Sequence, residues 1–315
     1  VTRTDPLITG AIKAIKAAKD GSAKTQHSHV QEAKRFVETL RRIGYGVQQW
    51  KNLSNKHVGA VVEEWKNSGL ATGTIKEYLS GVRAVARFFN NDRIAENNSA
   101  FAIENRVYVS NTDKSVPEAV YGRVVGALKA SADINDNRIA AQLQLQRALG
   151  LRKEEAFKFQ PDRAVMRDAT VFIQHGTKGG RERIIHHVSA QAKEAIAYAK
   201  SVGSGKNTIP NDLTERQWER HFYKTLRFHG LSQDACGASS HGLRHAYAQA
   251  RYEEITGFEP RCKFDSCESF RPNAERTAGV DWSKVDQDAR QIIKAELGHG
   301  PDRDDVMAQY LGSKC

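Results

Sequence analysis

The chain has 315 residues, with 48 Lys and Arg against 37 Asp and Glu, a formal net charge of +11 and a sequence pI near 9.5. That length can bury a good core and ordinarily forms two domains. The basic excess points to a polyanion, and to nucleic acid before a membrane surface, because no apolar run approaches the roughly 18 residues that a span needs. The four cysteines, Cys236, Cys262, Cys267 and Cys315, do not resemble a disulfide framework, and no signal peptide precedes Thr2-Arg3-Thr4-Asp5. Both features predict a reduced, cytoplasmic protein.

Residues 7–19, 25–43, 54–68 and 74–90 carry helical periodicity, with Val30, Ala33, Val37 and Leu40 forming a core stripe on the second. Thr74-Ile75-Lys76-Glu77 fits a capping box, followed by Leu79, Val82, Val85 and Phe89. This predicts a small helical bundle. Residues 1–116 hold 18 Lys and Arg against 11 Asp and Glu, so most of the positive surplus lies here. Lys24, Lys34, Arg35, Arg41, Arg42, Lys76, Arg83 and Arg87 could neutralise phosphates along one side of a duplex; the plainer alternative is a solvated bundle face. The region has no acid pair, nucleophile or ligand cluster, so its expected task is binding. Residues 105–116 lose the helical period and read as a linker. Ser115 would then cap a new helix with Pro117 and Glu118 in its first turn, which puts the domain boundary at 111/112.

Helices are expected at about 117–131 and 135–148. Gly150 suits the left-handed residue that ends the second, which sets Arg152 at the start of the next, where free N–H groups favour an anion. Glu155, three residues on, can hold that guanidinium. Residues 163–166, 169–173 and 181–188 read as strands of a small antiparallel sheet, and Thr177-Lys178-Gly179-Gly180 forms a tight turn with Lys178 at its tip. A tip lysine can be a solubility residue, or it can enter a DNA groove and donate a proton. Helical period returns at about 190–201 and 214–229.

A further helix is expected from 241 to about 255, capped by the hydroxyl of Ser239 or Ser240. On it His241, Arg244, His245 and Ala248 share one arc, read as facing a cleft; Leu243, Ala246, Tyr247 and Ala250 lie opposite, read as facing the core. His241 and His245 have a metal-ligand spacing, but Gly242 stands where a zinc hydrolase has its glutamate. Leu297-Gly298-His299 and a short segment from Asp302 to Leu311, bearing Tyr310, follow. Such a tyrosine is either a ring anchor or a nucleophile, and Asp302, Asp304 and Asp305 before it are read as compensating a helix dipole.

Taken in order, Arg152, Lys178, His241 with Arg244, His299 and Tyr310 resemble the tyrosine recombinase (phage integrase) family, with Glu155 at the family's acidic position and a basic helical region similar to its core-binding domain. The resemblance spans nearly the whole chain. It implies a mainly α fold with a small antiparallel β-sheet, built from an N-terminal helical, SAM-like core-binding domain (1–111) and an α+β catalytic domain (112–315). It also implies that Tyr310 attacks a DNA phosphodiester to form a 3′-phosphotyrosyl bond, while Arg152 and Arg244 clamp the non-bridging oxygens. His241 and His299 would add hydrogen bonds or move the tyrosine proton, and Lys178 would protonate the departing 5′-oxygen. Glu155 and His245 would support the site from behind, His245 as a buried structural residue. No metal or cofactor is implied. The implied partners are double-stranded DNA, further copies of the chain in a homotetramer on two sites, and accessory DNA-bending or directionality proteins; the implied role is integration or excision of a mobile element. Alternatives are a type IB topoisomerase-like relaxing enzyme and a non-catalytic DNA-binding accessory protein on the same scaffold.

The chain departs from the family's spacing in three places. Arg244 and His299 are 55 positions apart, so residues 256–290 read as an insertion, by default a solvated loop. Its Cys262-x4-Cys267 pair lacks a second ligand pair, and Arg261, Lys263, Phe264, Phe270 and Arg271 could touch DNA or a neighbouring subunit. The interval from His299 to Tyr310 is slightly long. Only Leu311 to Cys315 follow Tyr310, so the C-terminal segment that family members exchange between protomers is expected to be short, trimmed or replaced by the insertion.

Overall fold

The computed structural model describes residues 5–105, 109, 111–165, 170–203, 205–300 and 302–315. The chain divides into two compact units, Val1–Val107 and Tyr108–Cys315. The first holds helices α1 (Pro6–Ala18), α2 (Ala23–Arg42), α3 (Asn55–Asn67) and α4 (Thr72–Phe88). Asp5 caps α1 by accepting from Leu7 N at 2.8 Å, and Ser22 caps α2 by accepting from Thr25 N at 3.1 Å. Helix α4 starts two residues before the expected Thr74 box: Thr74 N donates to Ala71 O at 2.9 Å, so a backbone turn does the capping. Phe36, Leu40, Trp50, Trp65, Leu79 and Val82 fill the core. Both indoles are buried with their N–H groups paired, Trp50 to Leu7 O at 2.7 Å and Trp65 to Thr39 Oγ1 at 3.0 Å.

In the second unit α6 (Ile134–Leu149) packs against α5 (Glu118–Ala130), α9 (Ala190–Val202) and α12 (Gly242–Thr256). Helix α5 has Pro117 at its cap, not Ser115, whose N–H instead donates to Asp113 at 2.8 Å. Helix α6 ends at Gly150 in the left-handed region, φ +61°. A Cβ there would lie 2.5 Å from Tyr247 Cδ1 and 2.9 Å from Leu297 Cδ2, so backbone strain and overpacking both oppose a side chain. Gly150→Ala should lower stability by about 2 to 4 kcal/mol, measured as a shift in the urea midpoint; an unchanged midpoint would show that α12 and the 297 loop can give way.

Next come α7 (Lys153–Phe157), α8 (Pro161–Ala164), β1 (Val171–Ile173) and β2 (Arg183–Ile185). The strands pair antiparallel, with Val171 opposite Ile185 and Ile173 opposite Arg183. The strand expected at 163–166 is absent over its described residues: Pro161 starts a helical turn, and Val165 makes only a single bridge to Val171. Met166 and Ala169, also assigned to strands from sequence, lie outside the described residues. Helices α10 (Glu215–Phe228) and α11 (Gln233–Cys236) precede α12.

Residues 256–290 are not a solvated loop. They form α13 (Cys267–Ala278) and most of α14 (Trp282–Glu296), and α15 (Asp304–Leu311) packs on them. Phe258, Phe270, Ala274, Ala289 and Ile293 are buried with Tyr252, Met307 and Leu311; apolar residues at this spacing gain more from a common core than from water. The cysteine expectation is also corrected. Cys267 is disulfide-bonded to Cys315 with Cα atoms 5.5 Å apart, a pairing hidden in the sequence by a separation of 48 residues. Cys267 is therefore unavailable for a metal pair with Cys262, which is buried and free. Among the described residues no His, Cys, Asp and Glu group could hold a metal, and no helix is long and apolar enough to cross a membrane.

Candidate active site

Helix α12 carries the site into the middle of the second unit. Its first N–H groups are met by backbone, Gly242 N to Ser239 O at 2.8 Å and Leu243 N to Ser240 O at 3.1 Å, so the serine hydroxyls are not the cap. The expected division into a cleft arc and a core arc also fails. Gly242 to Gln249 are all buried, because helices and loops enclose α12, and Ala250, assigned to the core, is exposed.

Arg244 is fully buried. Its Nη1 donates to Gly150 O, its Nη2 to Leu297 O, and its Nε to Tyr310 Oη at 3.0 Å. His299 Nε2 is 3.2 Å from Nη2. One guanidinium thus joins the end of α6, the end of α14 and the tyrosine of α15. Desolvation pulls its pKa down to about 10, so it stays charged at neutral pH.

A collar of arginines meets at Glu155, whose side chain is fully buried on α7. Arg152, at the cap of α7, donates to it through its own N–H at 2.7 Å and through Nη1 at 2.8 Å. Arg183 adds a two-pronged pair, both bonds 2.8 Å, and its Nε donates to Glu296 O at 2.7 Å. Arg244 Nη1 lies 4.0 Å away. Burial alone would raise the Glu155 pKa, but Arg183, Arg244 and Arg152 outweigh it and hold it at about 2.

Three histidines surround Tyr310, which is itself buried. The His245 ring centre is 4.5 Å from that of Tyr310, His299 is 5.8 Å and His241 is 6.1 Å away. His245 is buried with Nδ1 unpaired among the described residues, and burial, then His241 and Lys114, lower its pKa to about 3. His299 is half-buried and is lowered to about 3 by desolvation, Arg244 and Arg152. His241 keeps an open edge; desolvation of its packed side, with Arg244 and Arg152, lowers it to about 4. All three are neutral at pH 7 and can accept a proton.

Arg152, Glu155, His241, Arg244, His245, His299 and Tyr310 are therefore brought together. Lys178 is not: it stands exposed on the turn between β1 and β2, with no hydrogen bond or ion pair among the described residues. Arg183 was missed from sequence. Its signal is strand alternation, since Arg183 and Ile185 are buried while Ile184 is 44% exposed, which puts an arginine on the inner face. In the first unit Arg35 and Arg87 are exposed, and Lys34 and Lys76 are half-buried; Arg87 pairs with Glu96 at 3.1 Å. Arg83 is instead buried, donating to Ala95 O at 3.0 Å and Asn98 Oδ1 at 2.8 Å, a bond set that braces the bundle. A second missed feature is α10, where Arg216, Arg220, Lys224 and Arg227 are exposed while Trp218, Phe222 and Leu226 are buried.

The family model described as "Integrase" matches residues 105–250, and "Phage integrase, N-terminal" matches residues 7–95. No curated protein matches. Solved structures share the fold. A lambda integrase tetramer bound to a Holliday junction aligns with TM-score 0.61 and 16% identity over 96% of this chain and 76% of that one. XerH site-specific recombinase bound to a palindromic difH substrate gives 0.58 and 13%, over 94% and 78%. The Tn1549 transposon integrase with transposon right end DNA gives 0.60 and 11%, over 98% and 95%. The chain belongs to the tyrosine recombinase (phage integrase) family, the enzymes that recombine DNA at specific sites.

Proposed function

We propose that the protein cuts and rejoins double-stranded DNA through a covalent 3′-phosphotyrosyl bond to Tyr310, in the integration or excision of a mobile element. The observation that carries this is the hydrogen bond from the buried Arg244 to Tyr310 Oη at 3.0 Å, beside the collar of Arg152, Arg183 and Glu155. In the free protein that bond parks the phenol oxygen on a cation. When the oxygen moves onto phosphorus, the Nε hydrogen is released to meet a non-bridging oxygen, so Arg244 gives more in the transition state than in the ground state. Arg152 offers the second guanidinium. A neutral His241 or His299 takes the phenolic proton, and Lys178, carried in by its hairpin when DNA binds, protonates the 5′-oxygen. The phosphotyrosyl ester conserves the energy of the broken linkage for rejoining.

The exposed side of α10, with Arg35, Arg87, Lys34 and Lys76, supplies phosphate contacts. The lambda integrase tetramer on a Holliday junction supports a homotetramer acting on two paired sites. The test is a nicked suicide substrate, from which the short fragment bearing the freed 5′-hydroxyl diffuses away. Wild type should give a covalent complex on a denaturing gel and Tyr310→Phe none. Equal trapping by Tyr310→Phe would sink the mechanism.

A further inference from the structure

The segment beyond Tyr310 is fastened to its own unit at several points. The chain turns at Gly312, φ +85°, where a Cβ would come within 2.8 Å of Cys262 N. Gly312 O accepts from Arg290 Nη1 at 2.9 Å, and Arg290, only 3% exposed, is itself gripped by Asp286 at 2.8 Å. Cys315 O accepts from Arg271 Nη2 at 2.7 Å, and Cys315 Sγ is bonded to Cys267. Cys267 and Arg271 lie one turn apart on α13, so the fastening comes from the region that departs from the family's spacing. The covalent ring it closes runs from 267 to 315 and contains both His299 and Tyr310. Both cysteines are half-buried, within reach of a reductant.

We propose that the Cys267–Cys315 disulfide is a redox latch that keeps Tyr310 in the active site of its own protomer, and that reduction frees α15 to leave Arg244. The latch rests on the phosphotyrosyl reading above. The reductant is a dithiol. One of its thiolates attacks a sulfur of the disulfide to give a mixed disulfide, and the second thiol resolves it. Two electrons and two protons pass to Cys267 and Cys315, and the reductant leaves as its own disulfide. Opening the ring restores conformational freedom to the segment, since a cross-link limits the states available to the chain it encloses. Hydrogen bonds at Gly312, Ser313 and Cys315 and the burial of Leu311 then hold the segment without a covalent tie, and Tyr310 Oη spends less time on Arg244.

The test compares three samples: protein with the bond intact, verified by the mass gained on alkylation before and after reduction; the same protein reduced with dithiothreitol; and Cys315→Ser. On a nicked suicide substrate, single-turnover covalent complex should form about tenfold more slowly in the latter two, and Cys315→Ser should not respond to reductant. Amide hydrogen exchange across α15, measured without DNA, should quicken by about tenfold on reduction. Mixing Tyr310→Phe protein with Arg152→Ala protein should give no covalent complex while both are latched. Unchanged exchange on reduction overturns the latch whatever the DNA assay gives. So does faster exchange with an unchanged cleavage rate, and so does a complex from the latched mixture. Failure of the bond-intact wild type to trap DNA at all would instead refute the phosphotyrosyl reading, and the exchange measurement would still decide the latch.

Discussion

Arg244→Ala should slow single-turnover covalent complex formation by at least about 100-fold, the loss typical of one preorganised donor to a charged transition state. The same change should destabilise the fold. Gly150 O and Leu297 O are both satisfied by this guanidinium inside the unit, and each buried acceptor left unpaired costs about 1 to 3 kcal/mol. Arg244→Lys separates the two effects. It keeps a positive charge but has one compact head in place of a planar fork, so it cannot serve Gly150, Leu297 and Tyr310 together. It should stay folded by its urea midpoint, bind DNA in a gel shift, and still lose most of the rate. Wild-type cleavage by Arg244→Lys would show that charge, and not the fork, is what matters.

Stability should fall steeply as the solution is acidified below about pH 6.5. His245 and His299 are lowered from 6.5 to about 3, and His241 to about 4. Between those values and 6.5 the unfolded chain binds protons that the folded chain refuses. Stability therefore rises with pH through this window and is lost as pH falls through it, by up to about 1.4 kcal/mol per pH unit for each fully neutral histidine. His241, with its open edge, contributes less. Glu32 works the other way: burial and the charge of Glu77 raise it from 4.5 to about 7, so protonating it as pH falls through that interval favours the folded state. The histidines outnumber it, so the net slope of the urea midpoint between pH 6.5 and 4.5 should be positive, and flatter in His245→Phe. A flat profile in wild type would mean that the three rings are already charged in the fold. Glu155, held at about 2, adds its own loss only below 4.5.

Much of this was legible in the sequence because the signals were local. Gly150 before Arg152 marked a left-handed helix end, and Glu155 lay three residues from the guanidinium it holds. The four bundle helices followed from the spacing of residues such as Ala33, Val37 and Leu40. What was missed depends on contacts distant in sequence. Arg83 has the spacing of a surface cation, yet its partners Ala95 and Asn98 lie beyond the end of α4 and draw it inside. Arg183 looks like one basic residue among several on a hairpin until β2 pairs with β1 and turns it onto Glu155. Residues 256–290 read as an insertion because spacing measures only what lies between two motifs. It does not register that Phe258 and Phe270 will share a core with Tyr252 and Leu311.

The collar around Glu155 also has an arithmetic of charge. Arg152, Arg183 and Arg244 bring three cations to one carboxylate that stays ionised, and the histidines are neutral, so the pocket carries a surplus of two positive charges. In the proposed reaction the phosphodiester of the duplex brings a single negative charge, whereas the five-coordinate species formed as the tyrosine oxygen attacks has two. The collar therefore attracts the five-coordinate species more strongly than the resting phosphate, while the proton taken up by the histidine stays beside it, and binding energy used in that way goes to rate and not to affinity.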